Sequence, residues 1–187
     1  MTKLFFDGAV EPYNPGGHGG YGLFVERDGV PVYSGAAYMG QWPELSNNCA
    51  EYAGCIAALR YCLKHDISEA TIYGDSNIVI NQMAGLWGVK EGSYTPYAQE
   101  AWTLRHQLLG VSFIWIPREQ NVTADALSKQ AVTTMPRVVG FQLDGSLDLI
   151  PLPKPKRRRR TRHTTPRLTG TETENEIWDM FASHYGD

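Results

Sequence analysis

The sequence predicts an α/β fold, a mixed sheet with helices packed on it, and three observations carry that expectation. Over the first 40 residues the apolar positions fall in β-branched and aromatic runs parted by Gly, Pro and Asp. From Asn47 they recur instead at three- and four-residue spacing, the period of a helix. Farther on, short apolar runs alternate with such helical stretches, giving strand, strand, strand, helix, strand, helix, strand, helix, with extra helix in the middle.

Each element has a local reason. Residues 3–6 are a short apolar run closed by the turn dipeptide Asp7-Gly8, so Asp7 is expected at the end of the first strand. Residues 12–20 are rich in Gly and Pro and read as a loop or tight turn. Residues 21–26 and 30–39 flank Arg27-Asp28-Gly29 and read as a hairpin with a third antiparallel neighbour. Tyr52, Cys55, Ile56, Leu59, Cys62 and Leu63 share one face of a helix over 47–64. Residues 70–73 form a short strand, followed by a helix over 76–83. Pro96 opens a third helix near its first position, where a missing N–H costs nothing, with Ala98, Ala101, Trp102, Arg105 and Leu108 in step. Residues 111–116 are the last apolar strand, and 121–133 the last helix.

The length of 187 residues fits one globular domain with residues left over. The domain is expected over 1–136. Residues 137–153 follow as an extension that could add an edge strand and a stiff Pro-rich linker, 154–171 as a basic segment too polar to fold alone, and 172–187 as a short amphipathic piece. No window reaches the roughly 18 apolar residues of a membrane helix and the start lacks the form of a signal peptide, so a soluble, cytoplasmic protein without membrane partners is expected. Cys49, Cys55 and Cys62 lie in or beside one helix; Cys55 and Cys62 would sit roughly 10 Å apart, beyond disulfide reach. With only His65 near as a further zinc ligand, the cysteines read as buried thiols in a reducing compartment.

The net charge of −3 conceals a division: residues 1–153 carry 9 basic and 15 acidic residues, and 154–187 carry 8 basic and 5 acidic. Residues 154–167, which begin with Lys154 and close with Arg167, hold eight Lys or Arg and no acid. They could contact phosphates in a salt-dependent way, or be a solvated charge run or a localisation signal. Ile177, Phe181 and Tyr185 are spaced as one helical stripe beside Trp178, which fits a protein-partner site or a helix folding back on its own domain.

Four acids stand at strand ends or helix starts: Asp7, Glu51, Asp75 and Asp125. In an α/β sheet these places face a common crevice. Carboxylates converging there would repel unless cations joined them, and oxygen-rich clusters suit Mg²⁺ or Mn²⁺, two of which about 4 Å apart serve in-line phosphodiester cleavage. Each acid alone also has an ordinary structural duty: a turn at Asp7, a capping box from Asn48 to Glu51, an N-cap at Asp75, and a dipole complement at Asp125.

Four segments carry a resemblance: LFFDGAVEPYNPGGHGGYGLFV, SNNCAEYAGCIAALRYC, IYGDSNIVINQMAGLWGVKEGSYTPYAQEA and FIWIPREQNVTADALSKQA. Over roughly residues 3–133 their order and spacing resemble the conserved blocks of the ribonuclease H type I family, in its archaeal and plant-like, reverse-transcriptase-like branch. The resemblance implies a ribonuclease H-like fold: five strands in a mixed sheet, three antiparallel then two parallel, with helices on both faces. It implies an endoribonuclease that cuts the RNA strand of an RNA–DNA hybrid with two metal ions, Mg²⁺ or Mn²⁺, leaving 5′-phosphate and 3′-hydroxyl ends. Asp7, Glu51, Asp75 and Asp125 match the metal-binding carboxylates, with Asp7 shared by both ions, Asp125 serving the attacking water, and Glu51 and Asp75 the leaving 3′ oxygen.

Asn14, Asn47 and Asn48 match positions that line the hybrid's minor groove, with Gly8 offering backbone there, and an RNA 2′-hydroxyl is what such groups read. Ser46 matches a contact to a DNA phosphate, Asn81 is a further candidate contact, and Trp87 resembles the aromatic on which a DNA sugar packs. Two departures stand out. No His lies between His106 and His163, and Arg118 occupies the loop before the last Asp, where a permanently charged guanidinium acts only electrostatically. The long basic protrusion of many relatives is also missing, since residues 85–96 hold Lys90 as their one base. The alternatives are an enzyme of this fold that also cuts double-stranded RNA, an integrase-like relative, and a silent module that only binds nucleic acid.

Overall fold

A computed structural model of the chain describes residues 1–133; the expected extension, linker, basic segment and C-terminal stripe lie outside the described residues. Five strands, β1 (Thr2–Glu11), β2 (His18–Arg27), β3 (Val30–Gln41), β4 (Glu69–Gly74) and β5 (Gly110–Trp115), form one sheet in the order β3-β2-β1-β4-β5. The first three pair antiparallel, and β1, β4 and β5 run parallel. Helices α1 (Asn47–Lys64), α2 (Asn77–Met83), α3 (Thr95–Arg105) and α4 (Val122–Thr133) fill the connections. This is the mixed five-stranded sheet that the sequence predicts. No helix among the described residues is long and apolar enough to cross a membrane.

The hairpin between β2 and β3 is set by Asp28 and Gly29, whose φ values of 53° and 78° are both positive. That pair of signs is the twist-matched two-residue turn, and Asp-Gly supplies it at low steric cost. Leu4, Phe6, Leu23, Val25 and Ile72 are fully buried on one face of the sheet. Against that face lies α1, buried along most of its length because β strands flank one side and α3 the other, where Arg60 bonds Glu100 at 3.0 Å. Its small residues Ala50, Ala53, Gly54, Ala57 and Ala58 let its backbone approach the sheet closely. Cys49, Cys55 and Cys62 are free and buried, and burial pushes the Cys62 thiol up to about 12, so inert thiols are the observed outcome.

Two strand boundaries differ from the expectation, for one reason. β1 does not end at Asp7-Gly8 but continues to Glu11, and β2 begins at His18 within the stretch expected to be loop. Gly8 and Gly20 serve close packing, while Gly16, with a φ of 99°, serves the turn between the two strands. A Cβ on Gly8 would lie 2.1 Å from the Glu51 nitrogen of α1, one on Gly20 would lie 2.6 Å from Ala131 Cβ of α4, and one on Gly22, farther along β2, would lie 2.5 Å from Leu127 Cβ and 2.6 Å from the Ala124 oxygen of the same helix. Glycine in these strands brings a helix against each face of the sheet.

Candidate functional site

Asp7 lies in mid-strand, yet still reaches a strand-end crevice. β4 pairs with β1 only over Thr2 to Phe5, so from Phe6 onward the β4 side of β1 is open. Asn121, in the turn before α4, fills the opening: its Nδ2 donates to the Phe6 carbonyl at 2.8 Å and to Asp75 Oδ1 at 3.0 Å. The backbone group that β4 leaves unpaired is thereby satisfied, and the same amide fixes Asp75, the residue immediately after β4.

Asp7, Glu51 and Asp75 each offer a carboxylate oxygen, and these oxygens lie within 4.8 Å of one another. Asp7 and Glu51 are buried and Asp75 is half-buried. Burial first, and then repulsion from Asp75 and Asp125, raise the Asp7 carboxyl from 3.8 to about 7, against a hydrogen bond from Ser128. Burial, followed by repulsion from Asp7 and Asp75, holds Glu51 well above the usual carboxylate range. Glu51 Oε2 is buried without a hydrogen-bond partner, while Oε1 accepts a 3.4 Å contact from Asn47 Nδ2. Three crowded oxygen ligands, one carrying an unpartnered buried oxygen, fit a hard divalent cation such as Mg²⁺ or Mn²⁺. No capping box involves Glu51: the N-cap of α1 is Ser46, no side chain caps it, and Glu51 sits in the second turn.

Asp125 is placed differently. It lies in the first turn of α4, 15% exposed, between two bases: Arg118 Nη2 bonds Oδ1, and Lys129 Nζ bonds Oδ2 at 2.6 Å. Burial would raise this carboxyl, but the hydrogen bonds from Lys129 and Arg118 outweigh it and hold Asp125 below the ordinary value. Ser128, fully buried, links the two parts of the site by donating to Asp7 Oδ2 and, at 2.9 Å, to the Asp125 carbonyl. Arg118 therefore stands at the edge of the acidic cluster, 62% exposed, with its guanidinium on the fourth carboxylate.

The expected substrate contacts fall into two groups. Asn14 Oδ1 accepts the Asn47 backbone N–H at 3.0 Å, so the loop after β1 is tied to the start of α1 beside Glu51, with Asn48 half-buried next in line. Ser46 shares its hydroxyl with Ser93 Oγ at 3.0 Å and with Cys49 Sγ at 3.2 Å, which brings the segment before α3 to the same place. Trp87 is 52% exposed and, with Ile78, Gln82, Leu86, Gly88, Lys90 and Tyr94, lines a cavity of about 590 Å³. Asn81, by contrast, spends its side-chain amide inside α2 on the Asn77 carbonyl at 2.8 Å. Four residues of the site carried no expectation: Asn121, Ser128, Lys129 and Ser93. Of these only Lys129 left a readable mark, as a base four residues after Asp125.

Comparison with known proteins gives a consistent result. The sequence profile of the family described as reverse transcriptase-like matches residues 6–131. The bifunctional protein Rv2228c of Mycobacterium tuberculosis is 37% identical over 87 residues, 46% of this chain, and the chain spans 24% of that protein's length. Its N-terminal ribonuclease H domain, solved as a fusion with maltose-binding protein, superposes with a TM-score of 0.62 at 32% identity, over 71% of this chain and 94% of that one. Ribonuclease HI of Halobacterium salinarum is 31% identical over 70% of this chain and 64% of its own. LC11 ribonuclease H1, solved in complex with an RNA/DNA hybrid, superposes with a TM-score of 0.63 at 27% identity, over 71% of this chain and 96% of that one.

Proposed function

Because the chain belongs to the ribonuclease H type I family, in its reverse-transcriptase-like branch, we propose that it is an endoribonuclease hydrolysing the RNA strand of RNA–DNA hybrids. The observation that carries this reading is the convergence of Asp7, Glu51 and Asp75 within 4.8 Å of one another, the first two of them buried. A non-catalytic module would keep the fold without keeping that repulsion. Divalent ions, two in number and Mg²⁺ or Mn²⁺ in kind, supply charge neutralisation at the phosphate and a more acidic attacking water when bound. Asp7, Glu51 and Asp75 would hold them, with Asp125 as the fourth ligand.

The remaining work belongs to the chain. Ser128 and Asn121 fix Asp7 and Asp75, so the ligand oxygens are set before substrate arrives. Arg118 presents a fixed positive charge beside the cluster, suited to a scissile phosphate. Asn14, Asn47 and Asn48, with the Gly8 backbone, line the approach to Glu51 and would read 2′-hydroxyls, which tells RNA from DNA. Ser46 would take a phosphate of the DNA strand, and Trp87 would pack on its sugar. Cleavage in line leaves a 5′-phosphate and a 3′-hydroxyl. The basic tract 154–167 would add sequence-independent affinity for the hybrid.

The test is cleavage of an end-labelled RNA–DNA hybrid with Mg²⁺ or Mn²⁺, beside the same RNA in duplex RNA and as a single strand. Cutting confined to the hybrid, and lost in Asp7→Asn, is expected. Equal cutting of duplex RNA would widen the substrate class, and intact hybrid with either metal would reject the reading.

A further inference from the structure

Gln82 is a polar side chain buried on α2, 3% exposed, where the other buried residues of the helix are Val79, Ile80 and Met83. A methionine would fill such a place without needing partners, and an unsatisfied buried amide would be costly. Both ends of this amide are used. Its Oε1 accepts the hydroxyl of Tyr52, and its Nε2 donates to the Gly88 carbonyl at 2.8 Å. Tyr52 is fully buried on α1, the residue after Glu51, and its ring stacks on Tyr94 at 5.7 Å and 5°.

The segment between α2 and α3 is thus tied to Tyr52 twice, through Gln82 at Gly88 and through the ring stack at Tyr94. Between and beside these ties sit the exposed Leu86, Trp87 and Lys90, on the rim of the cavity that Gln82 and Tyr94 also line. The backbone N–H groups of Leu86 and Trp87 bond the Asn81 carbonyl at 2.8 and 3.1 Å, which closes α2 but does not fix the segment against α1. The Gln82 amide does so at Gly88, next to Trp87, while Ser93, bonded to Ser46 Oγ at 3.0 Å, ties the far end of the segment to the start of α1.

We propose that Gln82, held by Tyr52, is a positioning residue: it sets the Trp87–Gly88 segment at a fixed distance from Glu51, the carboxylate that precedes Tyr52 on α1. A hybrid's cut strand at the carboxylates and its other strand at Trp87 are then engaged in one geometry. The inference rests on the functional reading above. Since Trp87 touches substrate without touching the reacting atoms, loosening it weakens binding rather than chemistry.

Gln82→Met keeps the volume and removes both hydrogen bonds, and Tyr52→Phe removes the hydroxyl while keeping the ring stack; each leaves a buried polar group without its partner, so in the full-length chain both are expected to melt several degrees below wild type and are assayed at a temperature where they are folded. Steady-state cleavage of hybrid should show KM raised roughly five- to tenfold in Gln82→Met with kcat within about twofold, and a smaller rise in Tyr52→Phe. Acrylamide quenching of tryptophan fluorescence should rise in Gln82→Met, and the rise should vanish in a Trp87→Phe background. Unchanged KM and unchanged quenching in a folded Gln82→Met would overturn the inference, as would a loss of activity that tracks only the folded fraction. Should wild type leave hybrid intact, the functional reading falls, while the quenching comparison still decides whether Gln82 holds Trp87.

Discussion

At the scale of single residues, the site is a balance between burial and charge, and the two halves of the acidic set resolve it differently. Asp125 is neutralised by Arg118 and Lys129, whereas Asp7 and Glu51 have no base bonded to them among the described residues and are pushed toward their protonated forms. Asp7 has a folded value of about 7 against an ordinary 3.8, so between these values the folded state holds the extra proton. Stability therefore falls as pH rises through that window, by about 4 kcal/mol at most, at 1.36 kcal/mol per pH unit. Asp125 works in the opposite sense and only below its ordinary value, because its lowered carboxyl adds stability that is lost in acid. In EDTA the wild-type melting temperature should accordingly drop from pH 4.5 to pH 8, and Asp7→Asn should flatten that drop and melt higher at pH 8. Mg²⁺ should raise the melting temperature of wild type and not of Asp7→Asn; equal responses in the two proteins would contradict the site. Arg118 adds a second residue-level test. Arg118→Ala is expected to lower turnover on hybrid by tenfold or more and Asp125→Asn to abolish it, and wild-type turnover in Arg118→Ala would remove Arg118 from the site.

At the scale of elements, the packing of α4 on the sheet decides whether these residues meet. α4 carries Ser128 to Asp7, and its close approach depends on Gly22, where an added Cβ would lie 2.6 Å from the Ala124 oxygen and 2.8 Å from the Ser128 nitrogen. These are backbone atoms that cannot swing aside, so α4 must move. Gly22→Ala should cost about 2–3 kcal/mol and lower the melting temperature by several degrees. Its activity should fall even at temperatures where it is fully folded, because the Ser128 to Asp7 link is displaced. Gly29→Ala is the control. Its Cβ meets nothing within 4 Å, but its φ of 78° disfavours a side chain, so stability should fall by about 1 kcal/mol with activity per folded molecule retained. The same glycines mark how far the sequence could be read. Asp28-Gly29 was legible as a turn because its reason is local, whereas Gly8 and Gly20 were not legible as strand because their reason is a helix that arrives from elsewhere in the chain, and at Gly22, within an expected strand, the close approach of α4 was not legible for the same reason. Likewise Asp7, Glu51 and Asp75 could be singled out from their places beside strands and helices. Asn121 and Ser128, whose partners Phe6 and Asp7 lie 115 and 121 residues away, could not.

At the scale of the whole molecule, the charge of −3 averages an acidic domain and a basic tract. Part of the negative charge is the carboxylate set itself, where bound cations would offset it. The rest leaves the domain poorly suited to draw in a polyanion, and the segment from Gly85 to Pro96 adds only Lys90. Phosphate contacts by Lys and Arg release condensed counterions, so an affinity built on them falls steeply with salt. Residues 154–167 hold eight such bases with no acid among them, enough to make several contacts of that kind. The residues proposed for chemistry all lie within 1–133, so the two contributions should separate cleanly. Truncation after residue 153 should raise KM for hybrid and flatten the dependence of KM on salt, with kcat at saturation little changed. Measured from 50 to 200 mM salt, parallel salt slopes for the full chain and the truncated one would assign the affinity to the domain and leave the basic tract some other task.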